Sequence, residues 1–432
     1  MIGEFFTAHN FSLIQIILSI IGFLLPIPLG YIALHLWHHY RQENFIVGIK
    51  WILLEIQVPR DVIKSPAAME LIFSNAFYQK SMKGFWEQYV QGAPWFWFSL
   101  EMVSIDGKVH FYIRTPSRMR DLVETQIYAQ YPQAKVVESD DYAMHVSQFS
   151  KNGEWYMWGC EYDKLLHDAR PLKTYRDMEE MESGTKEEFK VDPITPTVEF
   201  LGSLSQGEQV WIQIIIRQTI KTYHSHHSKK HIVFADAALE HLEEIQTPYT
   251  RVHEGSGIGG TDAKEIRAPA QLDPIVKTIV RNLEQIHFDA GIRVVVLAKK
   301  DLVSEEKFNN TRRDSRLMWR QYAAPSLNEL NRIHPTQFDA PWSDPTGLAL
   351  VKLKKRLLDF YRLRTFFHPP IQYSFKYPKV LSAFFPSNPP SIFVLSAEEL
   401  ATIFHFPGMV SETPSFKRIE SKIAKPPSNL PS

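Results

Sequence analysis

The sequence predicts an α+β protein: one N-terminal transmembrane helix, then a βαββαβ domain, then a second, larger α+β domain with insertions. Three observations carry this reading. A run without Asp, Glu, Lys or Arg extends from Phe11 to Trp37. The stretch from Lys50 to Glu138 changes between strand and helix periodicity in one recognisable order. The stretch from Glu154 to Leu395 repeats that theme at longer intervals. At 432 residues, two or three compact units are expected. The expected divisions are an anchor at 1–45, a first domain at 46–143, a second at 144–390 with a polar insertion at 218–271, and an exit with linker at 391–432.

The N-terminal run comes first. At about 1.5 Å per residue, residues 11–37 exceed a hydrocarbon core of roughly 30 Å, so they read as one membrane span. A cleaved signal peptide fits poorly, because MIGEFFTAHN has no basic region and no small-residue cleavage site follows. Pro26 and Pro28 each remove a backbone donor, which gives either one kinked helix or a re-entrant hairpin of two short halves. No Lys or Arg precedes the run, whereas Arg41, Lys50 and Arg60 follow it. The positive-inside rule then predicts a single-pass inner-membrane protein with its N-terminus outside and its C-terminal domains cytoplasmic. Trp37 and Tyr40 would sit at the interface.

In KWILLEIQV, Ile52, Leu54, Ile56 and Val58 share one face of a strand. Ser65 and Pro66 then open a helix whose stripe is Met69, Ile72, Phe73, Ala76 and Phe77. WFWFSLEMVS and KVHFYIRT flank Asp106-Gly107, the pair preferred by a two-residue type I′ hairpin turn. After Pro116, Ser117 caps a helix bearing Met119, Leu122, Val123 and Ile127, and AKVVE supplies a last strand. The order is βαββαβ, the ferredoxin-like unit. Beyond it, EWYMWGCEY, EQVWIQIIIR, GIRVVVLA and SIFVL read as strands, and DPITPTVEFLGSL as a short helix. Asp273 and Pro274 open an amphipathic helix, and two more are predicted over 304–322 and about 347–366. These elements are consistent with a second ferredoxin-like unit swollen by insertions.

Lys plus Arg and Asp plus Glu both number 48, so any electrostatic function must be local. The single cysteine, Cys160, excludes an internal disulfide framework and any multi-cysteine zinc site, and reads as a small buried apolar residue. KTYHSHHSKKH holds His224, His226, His227 and His231 but no carboxylate or cysteine, and Lys229 and Lys230 repel a cation, so no metal is expected there. EGSGIGGTD has glycine spacing reminiscent of phosphate loops, but lacks the Walker lysine and the strand-loop-helix context. It reads as a loop tip. The acidic run RDMEEMESGTKEE reads as a polar linker. No nucleophile elbow, HExxH or Ser/His/Asp arrangement is present, so neither enzyme activity nor a cofactor is expected.

Two groups of residues stand out as candidate contacts. Arg312, Arg316 and Arg320 recur at helical spacing, and KLKKRLLDFYRLR carries Lys352, Lys355 and Arg356 beside apolar positions. Such surfaces suit nucleic acid, anionic lipid or an acidic partner, or else form the solvated side of a packed helix. The second group is the exit segment FVLSAEELATIFHFPG. Ser396 and Glu399 form a capping box there, and Glu398, Glu399, His405, Phe406, Pro407 and Gly408 are candidate partner-docking residues.

VPRDVIKSPAAMELIF near the start, with FVLSAEELATIFHFPG and ETPSFKRIESKIAKPPSNLP near the end, resembles the N-terminal, non-ATPase portion of type IV secretion-like or conjugation ATPases. This is the coupling-protein and HerA-like group found largely in candidate-phylum bacteria. The resemblance implies a membrane anchor, paired ferredoxin-like modules and a place beside a P-loop motor. The sequence has no GxxxxGK[ST], so the motor's own activity does not carry over. The expected function is a non-catalytic scaffold that docks such an ATPase from a separate chain, with a monomer and a homo-oligomer both left open. The alternative is a nucleic-acid or anionic-lipid binding protein.

Overall fold

The computed structural model describes residues 22–23, 25–59, 64–79, 83–181, 192–225, 227–253, 263–266, 272–324, 326–338, 342, 344–370 and 391–407. The chain divides into two compact units. One comprises Met1–Lys50, Ser81–Trp95 and Pro370–Ser387, and the other Trp51–Lys80, Phe96–Pro369 and Asn388–Ser432.

In the first unit, helix α1 (Pro26–Val47) meets a π-helical turn, Trp86–Gln91. Arg41 Nε donates to the Val90 carbonyl at 2.9 Å, and a His38 ring nitrogen lies 3.1 Å from the Gln88 carbonyl. Gly92 ends the turn at φ +75°, and a Cβ there would lie 2.5 Å from the Arg41 carbonyl carbon. Only glycine allows that approach. The structure corrects the expected transmembrane helix, and with it the single-pass inner-membrane placement. Among the described residues, no helix is long and apolar enough to cross a membrane. The helix begins at Pro26, so its part ahead of His38, 26–37, spans only about 18 Å of the roughly 30 Å needed. It then continues through His38, His39, Arg41 and Glu43. Residues 1–21 lie outside the described ones.

The second unit is built on one antiparallel sheet. Its first half runs β1 (Trp51–Gln57), α2 (Ala67–Ile72, continued by a π-helical turn to Phe77), β2 (Phe98–Ile105), β3 (Lys108–Pro116), α3 (Arg120–Gln130) and β4 (Lys135–Ser139). The β2–β3 turn has Asp106 at φ 55° and Gly107 at φ 77°, which pairs Ile105 with Lys108. In the sheet these strands stand in the order β4-β1-β3-β2, the arrangement of a ferredoxin-like βαββαβ unit.

The second half opens with β5 (Trp155–Lys164), α4 (Tyr175–Met181), α5 (Thr195–Gly202) and β6 (Glu208–Gln218). An insertion follows: ribbon β7 (Thr222–His224) and β8 (His231–Val233), α6 (Phe234–Gln246), ribbon β9 (Thr250–His253) and β10 (Ala263–Ile266), and α7 (Leu272–Leu283). The chain then returns as β11 (His287–Lys299), α8 (Glu305–Leu317) and β12 (Leu330–Ile333). The sheet order is β12-β5-β11-β6, so fourth, first, third and second strands recur in the same arrangement. The two halves join through β2 and β6, paired antiparallel from Phe98↔Ile216 to Ile105↔Gln209. Each half contributes its second strand to that seam, which makes the whole sheet pseudo-symmetric about it.

Strand alternation decides what each face carries. Leu54, Leu100, Phe111, Cys160, Ile212, Ile214 and Val294 point into the larger core, with residues of α2, α3, α5, α8 and α10 (Ala397–Ile403). Leu53, Val103, Met157, Trp211 and Val295 point the other way, under α9 (Leu348–Leu363). Strand β13 (Phe393–Ser396) adds to β11 from His287↔Ser396 to Ala290↔Phe393. Phe234, Ala238 and Leu242 of α6 and Ile275 and Ile279 of α7 pack with Ala169 and Val394 of β13 in a small separate core. The EGSGIGGTD segment falls at 254–262, outside the described residues.

Candidate functional site

The two groups of candidate residues occupy different places. The exit segment is inside the protein. All seven residues of α10 are buried, as are Phe404, His405 and Phe406. The capping box is present: the Ser396 Oγ accepts from the Glu399 N–H at 3.2 Å, and the Ser396 N–H donates to the Glu399 carboxylate at 2.9 Å. The other Glu399 oxygen accepts from the Leu172 N–H at 2.8 Å and lies 2.7 Å from Lys164 Nζ. Glu398 accepts from Thr174 Oγ1 at 2.6 Å and pairs with Arg281 at 3.2 Å. Burial pushes its carboxyl above the usual range, against the Thr174 hydrogen bond and the charges of Arg281 and Arg176. The ring nitrogens of His405 face the Ala401 carbonyl at 2.7 Å and Asp192 at 2.5 Å. Phe406 packs edge-on against Tyr131 and Phe111, with ring centroids 5.2 and 5.7 Å apart. Pro407 is buried as well, and Gly408 lies outside the described residues. These side chains fix the position of the chain as far as Pro407.

The basic group is divided. Lys352 and Lys355 are exposed on α9, while Arg356 lies against Phe360 and lines a recess with Glu161, His334 and Thr336. Phe308, Thr311 and Ser315 turn one side of α8 inward, and Phe308 stacks on Tyr156 with centroids 5.4 Å apart. Arg312 and Arg316, one turn apart, flank that side and are half-buried. The expected stripe stops there, because α8 ends at Leu317 and Arg320 lies exposed in a following 3₁₀ turn. A residue that sequence reasoning missed takes its place. Arg332 in β12 stands opposite Tyr162 of β5, whose ring packs 5.2 Å from Trp319 just beyond α8. A four-residue strand carries too little periodicity to have announced it.

Among the described residues, Arg312, Arg316 and Arg332 have no carboxylate partner. The covered Arg312 Nε and Arg332 Nη1 have no hydrogen-bond acceptor there either. Burial lowers the pKa of Arg312 below the guanidinium norm, and the charges of Arg316 and Arg332 lower it further. Burial likewise pushes Lys354 down to about 8, helped by the charges of Arg312 and Lys300. Glu161 of β5 points to the opposite face and is held by Arg293 at 2.7 Å. His224 and His231 face each other across β7 and β8 with rings 5.7 Å apart, and no group of three metal-ligating side chains occurs among the described residues. Cys160 is fully buried, its thiol pushed up to about 12 by that burial. Comparison with known protein families and with curated proteins finds no match for this chain.

Proposed function

We propose that this chain is a non-catalytic scaffold whose duplicated sheet docks a P-loop ATPase of the secretion or DNA-transfer type, carried on a separate chain. The observation that supports it is the anchoring of α10. The fully buried helix, with the chain after it held by Lys164, Arg281 and Asp192, fixes the position of the backbone up to Pro407. A partner gripping the chain beyond Pro407 would pull on the sheet through α10 and β13, whereas a loose tether would transmit nothing. The resemblance of the entry and exit segments to the non-ATPase part of such machines points the same way.

The test is co-purification of the full chain under mild conditions, followed by rebinding of the recovered ATPase in purified form. Recovery of a P-loop ATPase that rebinds the full chain, and binds a chain ending at Pro407 more weakly, is the expected result. Failure to recover any nucleotide hydrolase removes the reading.

A further inference from the structure

We propose that Arg312, Arg316 and Arg332, gathered beside the edge of β5, bind a phosphate group through their guanidinium N–H donors. This site stands on its own observations and does not depend on a docked motor.

Three cations held together are an arrangement that folding alone disfavours. Like charges repel, and a covered donor without an acceptor costs the desolvation of that group. Here both occur at once. Arg312 feels the charges of Arg316 and Arg332, and the covered Arg312 Nε and Arg332 Nη1 lack acceptors among the described residues. The positions are imposed by the fold. Arg312 and Arg316 sit on a helix held against the sheet by Phe308, and Arg332 is fixed by its register opposite Tyr162. Each of the three is half-buried, so none is withdrawn from solvent altogether. Among the described residues, local carboxylates do not neutralise the set. Glu161 is paired with Arg293 on the other face, Asp314 pairs with exposed Arg313, and Glu208 accepts from Thr311 and lies near Lys307.

The chemistry of the donors selects the ligand. A carboxylate presents two oxygens in a plane, and one guanidinium fork satisfies it. Three guanidiniums approaching from a helix and a strand call for oxygens in three dimensions and more than one negative charge, which a free phosphate supplies on one centre and a phosphodiester chain on successive phosphates. Lys300 and Lys354, whose charges act on the same neighbourhood, add to the positive field. The phosphate could be free or belong to a phosphodiester chain, and the two sources behave differently in solution.

The experiment uses the full chain and two probes, inorganic phosphate and a ten-nucleotide single strand of thymidylate, each titrated calorimetrically at fixed ionic strength. The variants are Arg312→Gln and Arg332→Gln. The control is Lys135→Gln, at the far edge of the sheet on β4. Saturable binding is expected for the unmodified chain, weakened about tenfold or more in each arginine variant and unchanged in the control. Phosphate binding with that pattern identifies a free phosphate as the ligand. Oligonucleotide binding with the same pattern, and competition by phosphate, identifies a phosphodiester. Thermal unfolding guards against trivial loss, because removing one of three repelling charges should leave the melting midpoint equal or higher. Absence of binding by either probe, or equal weakening by Lys135→Gln, overturns the proposal.

Discussion

Lys164 Nζ lies 2.7 Å from Glu399 Oε1, with both side chains fully shielded from solvent, and the pair joins β5 to a helix 235 positions later in the chain. Glu399 also accepts from two backbone N–H groups, of Leu172 and Ser396, so its charge is met from three sides. Breaking a buried pair by removing one partner leaves an uncompensated charge, which costs about 3–5 kcal/mol. Lys164→Met should therefore destabilise strongly in urea unfolding. In the Lys164→Met/Glu399→Gln double variant the second change should cost much less than it does alone, because the charge it removes has already lost its partner. Strict additivity of the two losses would show that the pair is uncoupled.

A second buried pair closes the other face. Arg364 follows α9 at φ +50°, a left-handed conformation that a non-glycine residue adopts only when its surroundings hold it there. Its guanidinium donates to Glu101 at 3.0 and 3.2 Å and to Asp141 at 2.8 Å. Burial would raise the Glu101 carboxyl, but Arg364's charge and hydrogen bonds from Arg364, Ser99 and Tyr142 hold it below the usual carboxylate range. Arg364→Gly would relieve the backbone and lose the fork. We expect the loss to dominate by about 3 kcal/mol, measured by chemical denaturation, and Arg364→Lys to fall between, since one ammonium cannot serve both carboxylates.

Local rules made much of this fold legible. The Asp106-Gly107 hairpin, the capping box at Ser396 and the alternation in β1 and β6 each depend on a few adjacent residues, and each stands as an element of the structure. What adjacency could not reveal is long-range pairing: β11 between β5 and β6, and β2 against β6, unite residues 70 or more positions apart. The candidate site shows the same limit. Arg312 and Arg316 were visible as a helical stripe, but Arg332 joins them only through the β12–β5 register. In the exit segment, the candidate docking residues Glu398, Glu399 and His405 are buried. Their partners, Lys164, Arg281 and Asp192, lie far away in sequence and bring them into the core.

Stability should fall in mild acid. Burial, followed by the charge of Lys164, lowers His287 to about 4, and burial followed by the His241 charge lowers His167 to about 4. Both histidines are neutral when folded and protonate near pH 6.5 when unfolded, so unfolding takes up protons between about 4 and 6.5. Stability from these groups is full above that window and is lost as pH falls through it, by at most about 1.4 kcal/mol per pH unit for each. Lys354, lowered to about 8, has the same sign at the alkaline end, and stability should rise from about pH 8 towards 10.4. Urea midpoints measured from pH 4.5 to 7.5 should show a shallower slope in His287→Phe than in the unmodified chain. An unchanged slope would remove His287 as a source.

Two strand glycines make room for the cover on the second face. Gly159 lies in β5, and a Cβ there would meet the Leu357 Cδ2 of α9 at 2.4 Å and the Val294 carbonyl oxygen at 2.7 Å. Gly291 lies in β11, where a Cβ would meet the Phe366 ring at 2.3 Å. Neither glycine has a positive φ, so close approach, not backbone conformation, is what excludes a side chain. The two obstacles differ in kind. Phe366 belongs to the segment that follows α9 and can be shortened, whereas the Val294 oxygen belongs to the sheet ladder itself. Gly291→Ala should cost about 1–3 kcal/mol and recover part of that loss when combined with Phe366→Leu. Gly159→Ala should cost a similar amount and gain little from Leu357→Ala, because the backbone oxygen remains. Unfolding of the four variants in urea separates the cases, and equal rescue at both glycines would mean that side-chain crowding alone accounts for them.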